Sequence, residues 1–356
     1  MIKKISQFAR IKIAKTLNII PKDLPVLLIW ITNNCNLRCK MCGDRWRSGL
    51  SNPKKILRLD DWFQVIDNAK KLRTRIISIT GGEPFLNPDF FSILHHIKEA
   101  GIACHICTNG TLLTNENIKK LASTNISSVS ISLDSNQRQI HNYLRSSDCF
   151  DKTISGIMRL RKTMPELMIN INFTINHINL SQMSLMPALG KKLKVNKMSF
   201  APVHSNLQHK YKPQKELKDL LLTQKDLPLL RKELKTLQNN AKNLGIRISS
   251  KQFLNGISDY FTYQNVRPDC FAGYASCAIS PWGEVSPCSD MDSNLSLFNQ
   301  PLDKIWLSKD FHELRKKVKT CKKNCWDTTN AELGLRFQFK YLFKEINQVI
   351  NDIVVY

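Results

Sequence analysis

Short apolar runs alternate with longer segments of helical spacing through the first two thirds of the chain. Val26-Leu27-Leu28-Ile29-Trp30-Ile31 reads as a buried strand, and so do Ile76–Thr80, Ile102–Thr108, Val129–Leu133, Leu167–Ile175 and Lys197–Ala201. Between them lie Leu57–Leu72, Phe90–Ala100, Asn115–Ala122, Gln137–Leu144, Asp151–Lys162 and Gln182–Leu193, which read as amphipathic helices. Strand and helix thus alternate about six times, a pattern that predicts parallel strands joined by crossover helices. A closed barrel needs eight such units. The expected fold is therefore α/β, an open partial (β/α)6 TIM-like barrel.

The flanking segments read differently. Residues 1–24 form a basic amphipathic segment with Ile2, Ile5, Phe8, Ala9, Ile13 and Leu17 near one helical face. Such a helix can lie on a membrane surface; packing on the domain is the favoured reading. Residues 25–204 carry the barrel, 205–265 a polar helical connector, 266–330 a cysteine-rich region and 331–356 an amphipathic tail. Within the cysteine-rich region, Ala278–Ser286 has the pattern of a hairpin turning at Gly283.

Composition narrows the function classes. No apolar run reaches the roughly 18 residues of a membrane span, and the N-terminus lacks the apolar core of a secretory signal. The eleven cysteines cluster in tight groups in a long chain, which points to metal binding in a reducing cytoplasm rather than to a disulfide scaffold. The formal charge is +24. The lysines and arginines are dispersed, with no basic tail, so nucleic acid is disfavoured as a partner.

The chemistry concentrates at strand ends. Cys35, Cys39 and Cys42 follow the first strand with C-x3-C-x2-C spacing. Three thiolates can grip a soft metal centre, but zinc and iron–sulfur sites usually take four protein ligands. Either a fourth ligand comes from elsewhere or one position stays open. Gly81-Gly82-Glu83-Pro84 follows the second strand, Asn109-Gly110 the third and Asp134 the fourth, with His204 after the sixth. In α/β barrels that edge carries the chemistry. Farther on, Cys270, Cys288, Cys321 and Cys325 can surround one further centre, and Cys277 is an extra thiol that could replace one of these ligands or hold a second, incomplete centre. Cys104 and Cys107 lie within a strand and read as core thiols, and Cys149 as another free thiol.

The C-x3-C-x2-C stretch with Met41 before its last cysteine, the GGEP turn, Thr108-Asn109-Gly110 and Ser132-Leu133-Asp134 together resemble the radical SAM superfamily over roughly residues 26–204. That resemblance implies a [4Fe-4S] cluster on Cys35, Cys39 and Cys42, with S-adenosylmethionine (SAM) on the open iron. Reductive cleavage of SAM would give a 5′-deoxyadenosyl radical that abstracts hydrogen from substrate. It further implies that Met41, Gly81, Gly82 and Glu83 lie against the SAM methionine, with Glu83 at its amino group. Ser132 and Asp134 would face the ribose, Asn109 would support the pocket, and Arg145 would pair with the SAM carboxylate. The C-terminal cysteines resemble a SPASM/twitch-type region, implying one auxiliary [4Fe-4S] cluster on Cys270, Cys288, Cys321 and Cys325. The x3 spacing of the last pair departs from the usual x2. A zinc site is the alternative there. Asp290 is a candidate proton acceptor.

The expected partners are SAM, an electron donor such as flavodoxin or ferredoxin, and a substrate that is a sugar, a cofactor precursor or a peptide. The short stretch before the first strand leaves no room for the leader-binding module of many peptide-modifying relatives. That favours a small molecule, or a peptide delivered by a separate protein. The competing class is an iron–sulfur scaffold or electron carrier, which would need no SAM pocket.

Overall fold

The computed structural model describes residues 2–42, 55–124, 126–203, 217–262, 269–323 and 325–337. Among them, nine strands form one sheet: β1 Val26–Trp30, β2 Ile76–Thr80, β3 Ala103–Thr108, β4 Ser128–Ser132, β5 Met168–Ile175, β6 Lys197–Pro202, β7 Arg247–Ile248, β8 Ser276–Ile279 and β9 Val285–Ser286. The helices are α1 Ile2–Leu17, α2 Leu59–Lys71, α3 Phe90–Glu99, α4 Asn115–Thr124, α5 Arg138–Arg145, α6 Phe150–Thr163, α7 Met186–Lys192, α8 Leu217–Leu220, α9 Leu227–Leu244, α10 Lys251–Thr262, α11 Leu302–Leu307, α12 Lys309–Lys319 and α13 Ala331–Arg336.

The strand order is β7-β6-β5-β4-β3-β2-β1-β8-β9, and its two ends do not pair. Every neighbouring pair is parallel except the β8–β9 hairpin. The open partial barrel read from the sequence is thus the fold the chain adopts. Parallel strands covered by helices are buried on both faces. This explains why runs such as Ile76-Ile77-Ser78-Ile79-Thr80 are nearly continuous in β-branched residues. Register brings the C-terminal strand ends to one edge: Trp30 faces Thr80, Thr108 faces Ile131 and Ser132 faces Asn172.

Two features were not legible in the periodicity. First, β8 joins the sheet beside β1, with Val26 opposite Ser276. One apolar core therefore runs from the barrel strands into the C-terminal region, where it includes Trp306, Phe311 and Trp326. Second, part of the expected connector is built into the barrel. Helix α9 packs against α7 and the 3-10 segment Leu180–Leu185, and β7 extends the sheet at β6. His204 and the tail beyond Phe337 lie outside the described residues.

Helix α1 packs on the domain. Ile11 and Ala14 are buried with Phe271, Tyr274, Ala275 and Phe337. The Phe337 ring stacks on Phe8 at 3.9 Å and on Phe271 at 3.8 Å. Arg10 pairs with buried Asp23 at 2.7 Å. The other side of α1 leaves Ile13 and Leu17 exposed. No described helix is long and apolar enough to cross a membrane.

Candidate functional site

The loop after β1 is held against the loop after β2 by backbone. Gly82 N–H donates to the Thr32 carbonyl at 2.9 Å and Glu83 N–H to the Asn34 carbonyl at 2.7 Å. Glycine is required here because the two chains touch. A Cβ on Gly81 would sit 2.4 Å from Thr32 O, and one on Gly82 would sit 2.1 Å from Asn34 O. Gly81 also has φ +145°, a backbone state that other residues rarely adopt. The glycine pair thereby fixes where the cysteine loop starts. Asn109 holds the same loop from β3, donating Nδ2 to Asn36 Oδ1 at 2.9 Å.

Cys35, Cys39, Met41 and Cys42 line one cavity of about 310 Å³ at the strand ends, together with Gly81, Gly82, Asn109, Ser132 and Arg145. Asn172 and Thr174 of β5 and Cys107 of β3 complete its wall. The sequence reading missed these three. Cys104 is core as expected, but Cys107, three residues on and therefore on the opposite face of β3, opens to the cavity. Burial pushes the Cys107 thiol up to about 12 despite a hydrogen bond from Ser78. Cys149 is buried beside Cys39 and Leu37.

Glu83 and Asp134 lie behind this wall rather than on it. Glu83 is fully buried. Its Oε1 accepts from Thr108 Oγ1 at 2.7 Å and its Oε2 from Asn109 N–H at 2.8 Å. The carboxyl staples the exit of β2 to that of β3. Asp134 is also fully buried, and its Oδ2 accepts from Arg145 Nε at 2.6 Å and Nη2 at 2.5 Å. Its Oδ1 takes the Thr174 N–H at 2.9 Å, and its own N–H donates to His141 Nδ1 at 3.2 Å. Burial, reinforced by Arg145, pulls His141 down to about 4, so it stays neutral. Arg145 is thus aimed at the cavity by Asp134. Its Nη1 lies 3.7 Å from Cys39 Sγ. Burial opposes the guanidinium charge, but Asp134 and Cys39 outweigh it and hold the pKa above its ordinary value.

Desolvation pushes Glu83 from 4.5 up to about 7, against the hydrogen bonds it accepts from Asn109, Thr108 and Phe85. Between those values the folded state binds more protons than the unfolded, so stability falls as pH rises. The steepest slope is about 1.4 kcal/mol per pH unit. Glu83→Gln removes this dependence. Urea unfolding should therefore show the wild-type advantage over the variant shrinking between about pH 5 and about pH 7; parallel profiles would contradict it.

A second cavity, of about 500 Å³, is lined by Cys270, Cys288, Cys321 and Cys325, with Asp290, Lys12 and Lys15 on its wall. Each cysteine segment is anchored. Arg315, wholly buried, donates Nε to the Gly273 carbonyl at 2.5 Å and Nη2 to the Trp306 carbonyl at 2.7 Å, fixing the turn after Cys270. The β8–β9 hairpin, turning at Gly283 with φ +78°, delivers Cys288. Trp326 locks Cys325 by donating Nε1 to the Phe253 carbonyl at 3.0 Å; its ring fills the space where a Cβ on Gly256 would lie. Burial raises the thiols of Cys270 to about 11 and of Cys288 to about 12. Asp290 belongs to this cavity, its Oδ2 3.9 Å from Cys325 Sγ, and not to the wall at the barrel mouth. Cys277 lies in β8 within the main core and is not on this wall.

The donor sets can be tested against the groups they would hold. A tetrahedral zinc site closes four ligands around a single ion. Four thiols spread around one cavity suit a polynuclear iron–sulfur group instead. At the barrel mouth, three thiols and one buried guanidinium face one space, which suits a three-cysteine cluster with an anionic ligand.

An open parallel barrel with a three-thiol loop at its strand-end edge has the form of a cluster-binding enzyme. Comparison with known proteins agrees. Residues 29–183 match the Radical SAM superfamily and residues 270–327 match an iron-sulfur cluster-binding domain, SPASM. The chain belongs to the radical SAM superfamily and carries a C-terminal SPASM domain. It is 29% identical over 314 residues to an AdoMet-dependent heme synthase of Methanosarcina barkeri, covering 82% of this chain and 85% of that protein. It is 25% identical to the mycofactocin maturase MftC of Mycolicibacterium smegmatis, over 75% of this chain and 64% of that one. Among solved structures, Streptococcus suis SuiB bound to S-adenosylmethionine superposes with TM-score 0.67 at 18% identity, covering 86% of this chain and 71% of that chain.

Proposed function

We propose that this enzyme binds one [4Fe-4S] cluster through Cys35, Cys39 and Cys42 with SAM, and one auxiliary [4Fe-4S] cluster through Cys270, Cys288, Cys321 and Cys325. The substrate is a cofactor precursor, and the net result is its oxidation. The observation that carries the reading is the pair of thiol-lined cavities held on adjoining strands of one sheet. With SAM, the first cluster supplies a 5′-deoxyadenosyl radical by reductive cleavage; the second supplies one-electron capacity near the substrate.

The chain's own residues do the positioning. Gly81 and Gly82 set the thiol loop, Asn109 ties it to β3, and Arg145 offers charge to a SAM carboxylate at a place set by Asp134. Met41 and Ser132 shape the remaining wall. A cofactor precursor is favoured because the heme synthase and mycofactocin maturase likenesses both bear the names of cofactor-building enzymes. A second reading, in which the precursor is a peptide, is suggested by the likeness in fold to Streptococcus suis SuiB, solved bound to a precursor peptide. An electron donor such as flavodoxin or ferredoxin and a cytoplasmic location fit the same chemistry.

The test is iron content and SAM cleavage in anaerobically reconstituted protein. Wild type should hold about eight irons, and Cys288→Ala about four, while 5′-deoxyadenosine is still formed with dithionite and SAM. Full iron in the Cys288→Ala protein would refute the auxiliary assignment. No 5′-deoxyadenosine from wild type, with candidate precursors present, would refute the enzyme reading.

A further inference from the structure

The last turn of α12 and the loop holding Cys321 carry an unusual density of charge. From Arg315 to Lys323, six of nine residues are Lys or Arg and none is acidic. The dispersed positive charge of the whole chain does not account for such a run. Helix α12 buries Phe311, Leu314, Arg315 and Val318 against the core. That face turns Lys316, Lys317 and Lys319 outward, and Lys322 is exposed in the following loop. Lysines at a helix C-terminus gain from the helix dipole, which is the ordinary reason for two or three of them. It does not explain Lys322 and Lys323, which lie beyond the helix on either side of no carboxylate in sequence.

Position supplies the reason. Lys319 and Lys323 line the four-thiol cavity, and across it α1 contributes Lys12 and Lys15. The inner charges have partners: Lys15 pairs with Asp269, Lys323 donates to the Asp290 carbonyl, and Lys12 donates to the Phe337 carbonyl at 2.9 Å. Of the outer charges, Lys319 is exposed and lines the same opening, and Lys317 and Lys322, two and three residues from it in sequence, are exposed. The result is a collar of positive charge around the place where one-electron capacity is expected.

We propose that this collar is a docking surface for an acidic one-electron carrier protein, seated over the auxiliary cavity. The proposal rests on the auxiliary-cluster reading above. Complementary charge steers such partners and accelerates encounter, and the effect weakens as salt rises. A carrier, rather than a nucleic acid, is the occupant because the charge surrounds a thiol-lined cavity and the basic run from Arg315 to Lys323 holds no aromatic residue.

Full-length reconstituted protein is titrated with an acidic flavodoxin, and Kd is read at low and at physiological salt. Wild-type Kd should rise about tenfold or more with salt. K317E/K322E should weaken low-salt binding about tenfold and flatten the salt dependence. K152E/K162E on α6, beside β4 and β5 and remote from β8, should match wild type. Equal weakening by both variants, a salt-independent wild-type Kd, or tighter competition by a mixed-sequence RNA for the same lysines overturns the proposal. Iron content separates the two levels. If C35A/C39A/C42A protein holds no iron, the auxiliary reading fails and the carrier loses its reason. If it holds about four irons and K317E/K322E still binds like wild type, docking alone fails.

Discussion

Cys39→Ala protein, reconstituted anaerobically and given dithionite and SAM, is expected to form no 5′-deoxyadenosine and to hold about four fewer irons than wild type. The effect should be complete because no other described thiol can take the position. Cys107 is on the same cavity wall, but it projects from β3 rather than from the loop, and its thiol is pushed up to about 12. Cys149 adjoins Cys39 but is buried in a small apolar cluster, where desolvation raises it to about 11. Cys104→Ala provides the control: that side chain lies in the core, and its loss should cost stability without changing iron content or SAM cleavage. Residual 5′-deoxyadenosine from the Cys39 variant would mean that Cys149 can be recruited.

The second large effect falls on stability. Asp134→Ala should lower the unfolding free energy by about 3–5 kcal/mol, the cost of leaving a buried charge uncompensated. Arg145 would keep only the Cys39 sulfur, and the Thr174 N–H would lose its acceptor. Removing both partners should cost much less: in Asp134→Ala/Arg145→Met neither charge remains to be buried. The double variant should nevertheless bind SAM weakly, because no guanidinium reaches the cavity. Chemical denaturation and SAM binding by equilibrium dialysis therefore report different things. Equal stability of the Asp134→Ala and wild-type proteins would show that water reaches Arg145 and does the work assigned to Asp134.

These two cases show where sequence reasoning reached its limit. Alternating strands and helices made the open barrel legible, since 3.6- and 2-residue periods are local properties. The thiol loop was legible for the same reason: its ligands are close in sequence. What spacing could not show is which side of the wall a strand-end residue takes. Glu83 and Asp134 stand at the right strand ends, yet each turns inward and spends its carboxyl on protein donors. Cys107 is the reverse case, a strand residue that opens to the cavity. His141 could have been found from its place between Asp134 and Arg145, on the face of α5 that also carries Leu144 and Arg145. The Ala278–Ser286 turn was readable from Gly283, but the pairing of β8 with β1 joins distant parts of the chain and leaves no local trace.

That pairing has a bearing on how the protein matures. During synthesis, β1 has β2 as its one partner among the described strands until β8, about 250 residues later, has emerged from the ribosome. Its other edge, with open N–H and C=O groups, is meanwhile a template for wrong pairing. The thiol loop grows from that same strand. Its final setting therefore waits on the arrival of the segment that also brings Cys270 and Cys288. Nascent chains halted before β8 should present a loosely held loop.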